Sequence, residues 1–221
     1  FLWLARGACG DGGGERTTSD LSESLRRRGE TRTYHAYVAK QQSKLAQYPE
    51  KIRAIDVARQ HQIRREFQKA LDERTGGVDG FVGRTVLCLG ARLGGEVRAF
   101  KSLGAVAVGI DLEPGRGNMD VIHGDFHAVP FPTASFDYAY SNVLDHVFDL
   151  HRFGHEAARA LKPGGVFFAT LYPGESKGGN DAWTARQAAS LDNKGGFVQA
   201  MRDCGFTVVA EATVEEDMDL T

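Results

Sequence analysis

Cysteine is scarce in this chain of 221 residues: Cys9, Cys88 and Cys204 stand far apart, and no C-x-x-C occurs. That excludes a disulfide framework and a cysteine-rich zinc site, and it fits a reducing intracellular compartment, cytoplasm or organelle matrix. Long apolar runs are missing too. None approaches the ~20 residues of a membrane-spanning helix, and Phe1-Leu2-Trp3-Leu4 is shorter than a signal-peptide core. Histidine pairs at ligand spacing, His123 with His127 and His151 with His155, have no third ligand in view, so no metal site is expected. Charge of one sign is not in excess, with a formal net charge of −2. That balance hides an asymmetry. The first 78 residues carry 15 Lys and Arg against 10 Asp and Glu, and the remainder carries 12 against 19. A basic lead on an acidic body points to an anionic partner for the lead, such as RNA, or to a solvated helix face.

One stretch, Thr85 to Asp125, organises the rest. Val86-Leu87-Cys88-Leu89 is a short apolar run stopped by glycine, which predicts a buried strand. Gly90-Ala91-Arg92-Leu93-Gly94-Gly95 predicts a tight turn, and Glu96 to Ser102 the first turns of a helix. A second apolar strand, Ala105 to Ile110, ends on Asp111. That acid lies about 20 residues past the first strand, where a doubly wound fold places a carboxylate on ribose hydroxyls. Dinucleotide binding would want G-x-G-x-x-G, and Arg92 stands at the second glycine. A phosphate-cradling loop would want a following lysine, and Glu96 stands there. The loop suits a ligand with a ribose and no phosphate.

With that ligand class in mind, TVLCLGARLG resembles motif I of the class I S-adenosylmethionine-dependent methyltransferases, in a G-A-R-L-G variant. AVAVGIDLEP is similar to motif II, VIHGDF to motif III, SFDYAYSNVLDHV to motif IV and LKPGGVFFATL to the strand after it. The likeness covers Thr85 to about Tyr172, with a weaker tail to Val214. It implies a doubly wound, mostly parallel Rossmann-like sheet with helices on both faces, and S-adenosylmethionine as cofactor. It further implies that Gly90, Ala91, Arg92 and Gly94 hold the methionine portion and that Asp111, with Leu112, holds the ribose. Asp125 would receive the adenine amino group, Phe126 would pack on the ring, and Asn142 would stand at the mouth beyond the fourth strand. Two residues depart from the family pattern. Cys88 replaces the usual acid of the first strand, and Arg92 replaces the middle glycine. Arg92 is a candidate partner for the methionine carboxylate, since a guanidinium suits a planar anion. A solvent-facing structural Arg is the alternative.

Strands are expected at 85–89, 106–110, 119–122, 136–141, 166–172 and 206–214. Ahead of them, Gly7 to Gly29 lacks apolar periodicity, so 1–33 is expected to be a poorly ordered lead. A helical pattern broken at Pro49 makes 34–78 a helical extension, with Ile63, Phe67 and Leu71 on its apolar stripe. The methyltransferase-like domain then spans 79–221. Pro173 to Gly196 is long and Gly/Ser/Asn-rich, a candidate substrate lid. The acidic end after Val214 offers no further apolar run for the last antiparallel strand of the resembled fold.

Chemistry in open α/β sheets collects at the carboxyl ends of strands. Beyond the fourth strand stand Asp145 and His146, of which His146 is the natural base at neutral pH and Asp145 its neighbour or a helix cap. No (D/N)-P-P-(Y/F) follows that strand, which argues against an adenine or glutamine amide acceptor and slightly favours oxygen or an unusual acceptor. Two function classes follow. One is an active methyltransferase. The other is a methyltransferase-fold protein without activity, serving as a structural or binding subunit of a larger assembly such as a ribonucleoprotein.

Overall fold

A computed structural model describes residues 2–7, 33–73, 80–144, 147–171 and 194–211. Strand β1 is Leu2–Arg6, followed by helices α1, Tyr34–Gln47, and α2, Pro49–Asp72. Then come β2, Thr85–Leu89, α3, Gly95–Ser102, β3, Val106–Asp111, and β4, Val121–His123. The chain continues through β5, Phe136–Ser141, α4, Leu150–Ala160, β6, Leu161–Ala169, α5, Lys194–Asp203, and β7, Phe206–Glu211.

These strands form one sheet in the order β4-β3-β2-β5-β6-β1-β7. Pairings from β4 to β6 are all parallel, and β1 runs antiparallel to both β6 and β7. Parallel neighbours need crossovers, and the crossovers lay helices on both faces. On one face α2 and α3 bring Ile63, Phe67, Val97 and Phe100 against Val86, Cys88, Tyr140 and Phe168. On the other, α4 and α5 bring Phe153, Ala157, Phe197 and Met201 against Leu87, Leu89, Ala139 and Phe167. The doubly wound reading holds, and the helical segment after residue 33 packs as a layer of the same domain. Pro49 divides it as expected: α1 stops at Gln47, and the proline takes the first helical turn of α2, where no backbone N–H is needed.

The expected unstructured lead over 1–33 is corrected at its start. Leu2–Arg6 is a strand inserted between β6 and β7, and residues 8–32 lie outside the described ones. Its neighbours explain why four apolar residues suffice. Leu2 through Ala5 pair with Ala169 through Val166, and Leu2 through Arg6 pair with Glu211 through Phe206, so the backbone is hydrogen-bonded on both edges. Trp3 lies on Phe67 and Phe168 on one face, and Leu4 joins the core of the other. A strand buried on both faces carries no alternation, so its run of apolar residues has no period to betray it. This is the antiparallel strand that no run near the carboxyl end supplied.

Smaller shifts have local causes. Strand β4 begins at Val121 rather than 119, because the Asn118 side-chain oxygen accepts the N–H groups of Asp120 and Val121 and holds a turn there. Strand β6 begins at Leu161, paired with Phe136, before an irregularity that takes up Lys162 to Gly165. Of the expected strand positions, Thr170 and Leu171 follow β6 without joining it, and 172 and 212–214 lie outside the described residues.

Candidate functional site: a crevice at the carboxyl ends of the parallel strands

Sheet order reverses between β2 and β5. From β2 the chain winds outward through β3 to β4, and from β5 it winds the other way to β6. A crevice outside the carboxyl ends of the strands at such a reversal is the usual ligand position. The glycine turn after β2 forms one wall. Gly90 has φ 80°, and a β-carbon there would overlap the Val143 side chain. Gly90 N–H and Ala91 N–H both donate to the Ile110 carbonyl, at 2.9 and 3.2 Å, which ties the turn to β3. Arg92 follows with φ 37°, a left-handed conformation that is costly for a residue with a side chain.

Asp111 pulls this turn into place from the end of β3. It is buried, and its carboxylate accepts Arg92 N–H at 3.0 Å and Glu113 N–H at 2.8 Å. Each carboxylate oxygen can take a further donor. The loop carrying Leu112 is held from above by α1, whose Gln42 amide donates to the Leu112 carbonyl at 3.4 Å. Asn118 closes the same loop, donating to the Arg92 carbonyl at 3.2 Å and the Pro114 carbonyl at 2.7 Å.

Asp125 stands beyond β4 in a crowded setting. One oxygen accepts His127 N–H at 2.8 Å and His127 Nδ1 at 2.9 Å, and the other accepts the Tyr34 hydroxyl from the start of α1. His127 Nε2 accepts Asp149 N–H at 3.1 Å, so the ring proton sits on Nδ1 and donates to Asp125. Burial alone would raise the Asp125 carboxyl, but the His127 and Tyr34 hydrogen bonds outweigh it and hold it at about 2. Burial and the charged partner push the Tyr34 hydroxyl well above its ordinary value. Tyr34, Tyr37 and Phe148 pack together beside His127, with ring centroids 5.2 to 5.8 Å apart among the three. Phe126 is turned into the core, against His127 and Phe153.

Across the crevice, Asn142 follows β5 and donates through Nδ2 to Glu96 Oε1 at 2.9 Å. Ser141 donates to the Leu89 carbonyl at 3.0 Å, locking the end of β5 to the end of β2. Glu96 lies in the first turn of α3 and is buried. Burial raises its carboxyl to about 7, against smaller lowering effects that include the Asn142 bond. Cys88, at the expected acid position of β2, is a buried thiol that burial holds neutral. Helix α3 is anchored by Asp56 of α2, which accepts Gly95 N–H at 2.7 Å and pairs with Arg98.

Gly90, Ala91, Arg92, Gly94, Asp111 and Leu112 thus gather around the ends of β2 and β3, with Asp125 and Phe126 beside them at β4 and Asn142 at β5. Asp145 and His146, the candidate catalytic pair, lie outside the described residues, as does the candidate lid over 173–196 except 194–196, which open α5. Sequence reasoning missed Tyr34, His127 and Glu96 as members of this region. Tyr34 is 91 residues from Asp125, and nothing local marks it. Glu96 was visible, as an acid directly after a glycine turn. Among the described residues no group of three or more His, Cys, Asp and Glu could hold a metal ion, and no helix is long and apolar enough to cross a membrane.

Comparison with known proteins bears on the fold and the family. In a solved complex between the Haloferax volcanii Trm112 methyltransferase activator and a protein described as a methyltransferase, the match has 22% identity, covers 82% of each chain and has a TM-score of 0.57. A Methanococcus maripaludis protein described as S-adenosyl-L-methionine-dependent methyltransferase matches at 16% identity over 80% of this chain and 95% of that one, with a TM-score of 0.52. The YcgJ protein of Bacillus subtilis is 24% identical over 45% of this chain, with a TM-score of 0.37, and this chain spans about half of it, 49%. A search of curated proteins finds no match. Residues 87–169 match the family model described as a methyltransferase domain. The chain is thus similar to methyltransferases over 87–169, and its sheet has the doubly wound, mostly parallel Rossmann-like order of that fold.

Proposed function

We propose that this chain binds S-adenosylmethionine in the crevice and transfers its methyl group to an acceptor, an oxygen nucleophile being favoured by the absence of (D/N)-P-P-(Y/F) after β5. The observation that carries the reading is Asp111: a buried carboxylate at the end of β3 that already organises the glycine turn and keeps acceptor capacity for a ribose diol. The residues fit the group. Asp125 offers a charged acceptor for an exocyclic amine, and the bare backbone at Gly90 admits close approach where a β-carbon would collide. Arg92, half-buried on the turn, suits the carboxylate of the methionine portion. The cofactor supplies an electrophilic methyl on sulfur, so the protein's task is to hold the acceptor in line and take its proton. His146 is the proposed base, with Asp145 beside it, where the main chain leaves Asn142. The basic lead is the proposed contact for an anionic acceptor or partner such as RNA.

One observation favours the second reading, a binding or structural subunit without activity. The Tyr34 hydroxyl occupies the Asp125 oxygen on which an adenine amine would rest. The Haloferax volcanii protein of like fold is seen in complex with an activator, which gives a precedent for assembly in this fold. Calorimetric titration with S-adenosylhomocysteine separates the two. Micromolar binding supports the enzyme; no binding to a folded chain supports the subunit.

A further inference from the structure

Glu96 is a buried acid to which the reading above gives no task. It is 8% exposed, in the first turn of α3, and among the described residues the only side chain donating to it is Asn142. The pair spans the ends of β2 and β5, the two parallel neighbours between which the sheet order reverses. Groups that face Glu96 are Asp56 and Arg59 of α2, Cys88 of β2 and Tyr140 of β5. Asp56 is engaged by Gly95 N–H and Arg98, and the Tyr140 hydroxyl by Thr170 at 3.0 Å. Burial is the largest influence on the Glu96 carboxyl and raises it, although a backbone N–H, the Arg59 guanidinium of α2 and the Asn142 amide all act to lower it. A further cation arriving beside Glu96 and Asn142 would favour the ionised carboxylate.

We propose that Glu96, steadied by Asn142, receives the ammonium group of the cofactor's methionine portion, the role for which β2 offers only the neutral thiol of Cys88. This rests on the cofactor reading above. An ammonium brings three donors, enough for both Glu96 oxygens and the Asn142 side-chain carbonyl. The binding step balances as follows: the Glu96 carboxylic acid loses its proton to solvent, and the resulting carboxylate pairs with the incoming ammonium. Proton release should therefore accompany binding below neutral pH.

The test uses two ligands that differ at this end. S-adenosylhomocysteine carries the ammonium, and methylthioadenosine has the same nucleoside and no amino acid portion. Titration calorimetry near pH 6, in two buffers of different ionisation enthalpy, reads affinity and protons together. The unaltered chain should release protons on taking up S-adenosylhomocysteine and none with methylthioadenosine. Glu96→Gln should bind S-adenosylhomocysteine at least tenfold more weakly, without proton release, and methylthioadenosine as before. Glu96→Asp keeps a carboxylate and should retain proton release at an intermediate affinity, which covers the case of a Gln variant that does not fold. Unchanged affinity in Glu96→Gln, or equal weakening of both ligands, overturns the assignment and leaves Glu96 structural. If the unaltered chain binds neither ligand, the cofactor reading falls and takes this one with it.

Discussion

Two acids flank the same crevice and have opposite characters. Asp125, beside β4, receives a backbone N–H, an imidazole N–H and a phenol O–H, and stays ionised down to about 2 although partly buried. Glu96, in the first turn of α3, receives the Asn142 amide N–H and a backbone N–H and keeps its proton up to about 7. Burial opposes charge at both. The two differ both in depth, Glu96 being buried and Asp125 half-buried, and in donors, so burial and hydrogen bonds together decide which acid is anionic. Asp125 is ionised over the ordinary pH range, whereas Glu96 takes up a proton as pH falls through about 7.

The strongest way to break this contrast is at the residue between the walls. Asp111→Ala should weaken S-adenosylhomocysteine binding by roughly 3 kcal/mol or more, a Kd rise beyond about a hundredfold, because it removes a charged acceptor and the anchor of the glycine turn. Calorimetry with a circular-dichroism check of folding measures it, and equal affinity would remove Asp111 from the site.

The next test uses pH. Glu96 has its folded value raised from an unfolded value near 4.5, so its stability contribution is full below 4.5 and is lost as pH rises towards 7. That loss should be about 3 kcal/mol at most, seen as a falling Tm between pH 4.5 and 7.5 that flattens in Glu96→Gln. Asp125 should behave in the opposite sense. Its folded value is depressed, so its contribution is present above about 4 and is lost as pH falls through about 2. Asp125→Asn should remove about 2 kcal/mol of acid-sensitive stability in that window, measured by denaturant midpoints at pH 2 to 5 against the parent. A parallel loss in both variants would show that the two acids titrate alike.

Arg92→Ala should raise the Kd for S-adenosylhomocysteine about tenfold, about 1.4 kcal/mol, and leave methylthioadenosine unaffected. The smallest effect is expected at Tyr34. Tyr34→Phe removes one donor from Asp125 and should cost about 1 kcal/mol of stability in the empty protein, with S-adenosylhomocysteine bound no more weakly. Weaker binding would instead make the phenol part of the bound site.

Which features were legible follows from the range of the forces involved. Apolar runs, a glycine turn and an acid at the end of a strand are local, and they were enough to predict β2, α3, β3 and β5 nearly to the residue and to place Asp111 beside the turn. The family resemblance drew on the same local pattern, because close approach of backbone to ligand restricts residue type at each turn position. Boundaries moved by a few residues where a side chain competed with the ladder, as Asn118 does before β4.

What the sequence by itself determined, then, is the parallel core and the glycine turn with its acid at the end of β3. Tertiary structure decided the rest. Leu2–Arg6 becomes a strand only because β6 and β7 leave a slot with two unpaired edges and apolar faces above and below. Tyr34 meets Asp125, and Asn142 meets Glu96 across 46 residues, because the sheet order brings the ends of distant strands together. Charge was decided there as well: an Asp and a Glu have nearly the same value in water, and the burial and the donors assembled by the fold set them apart.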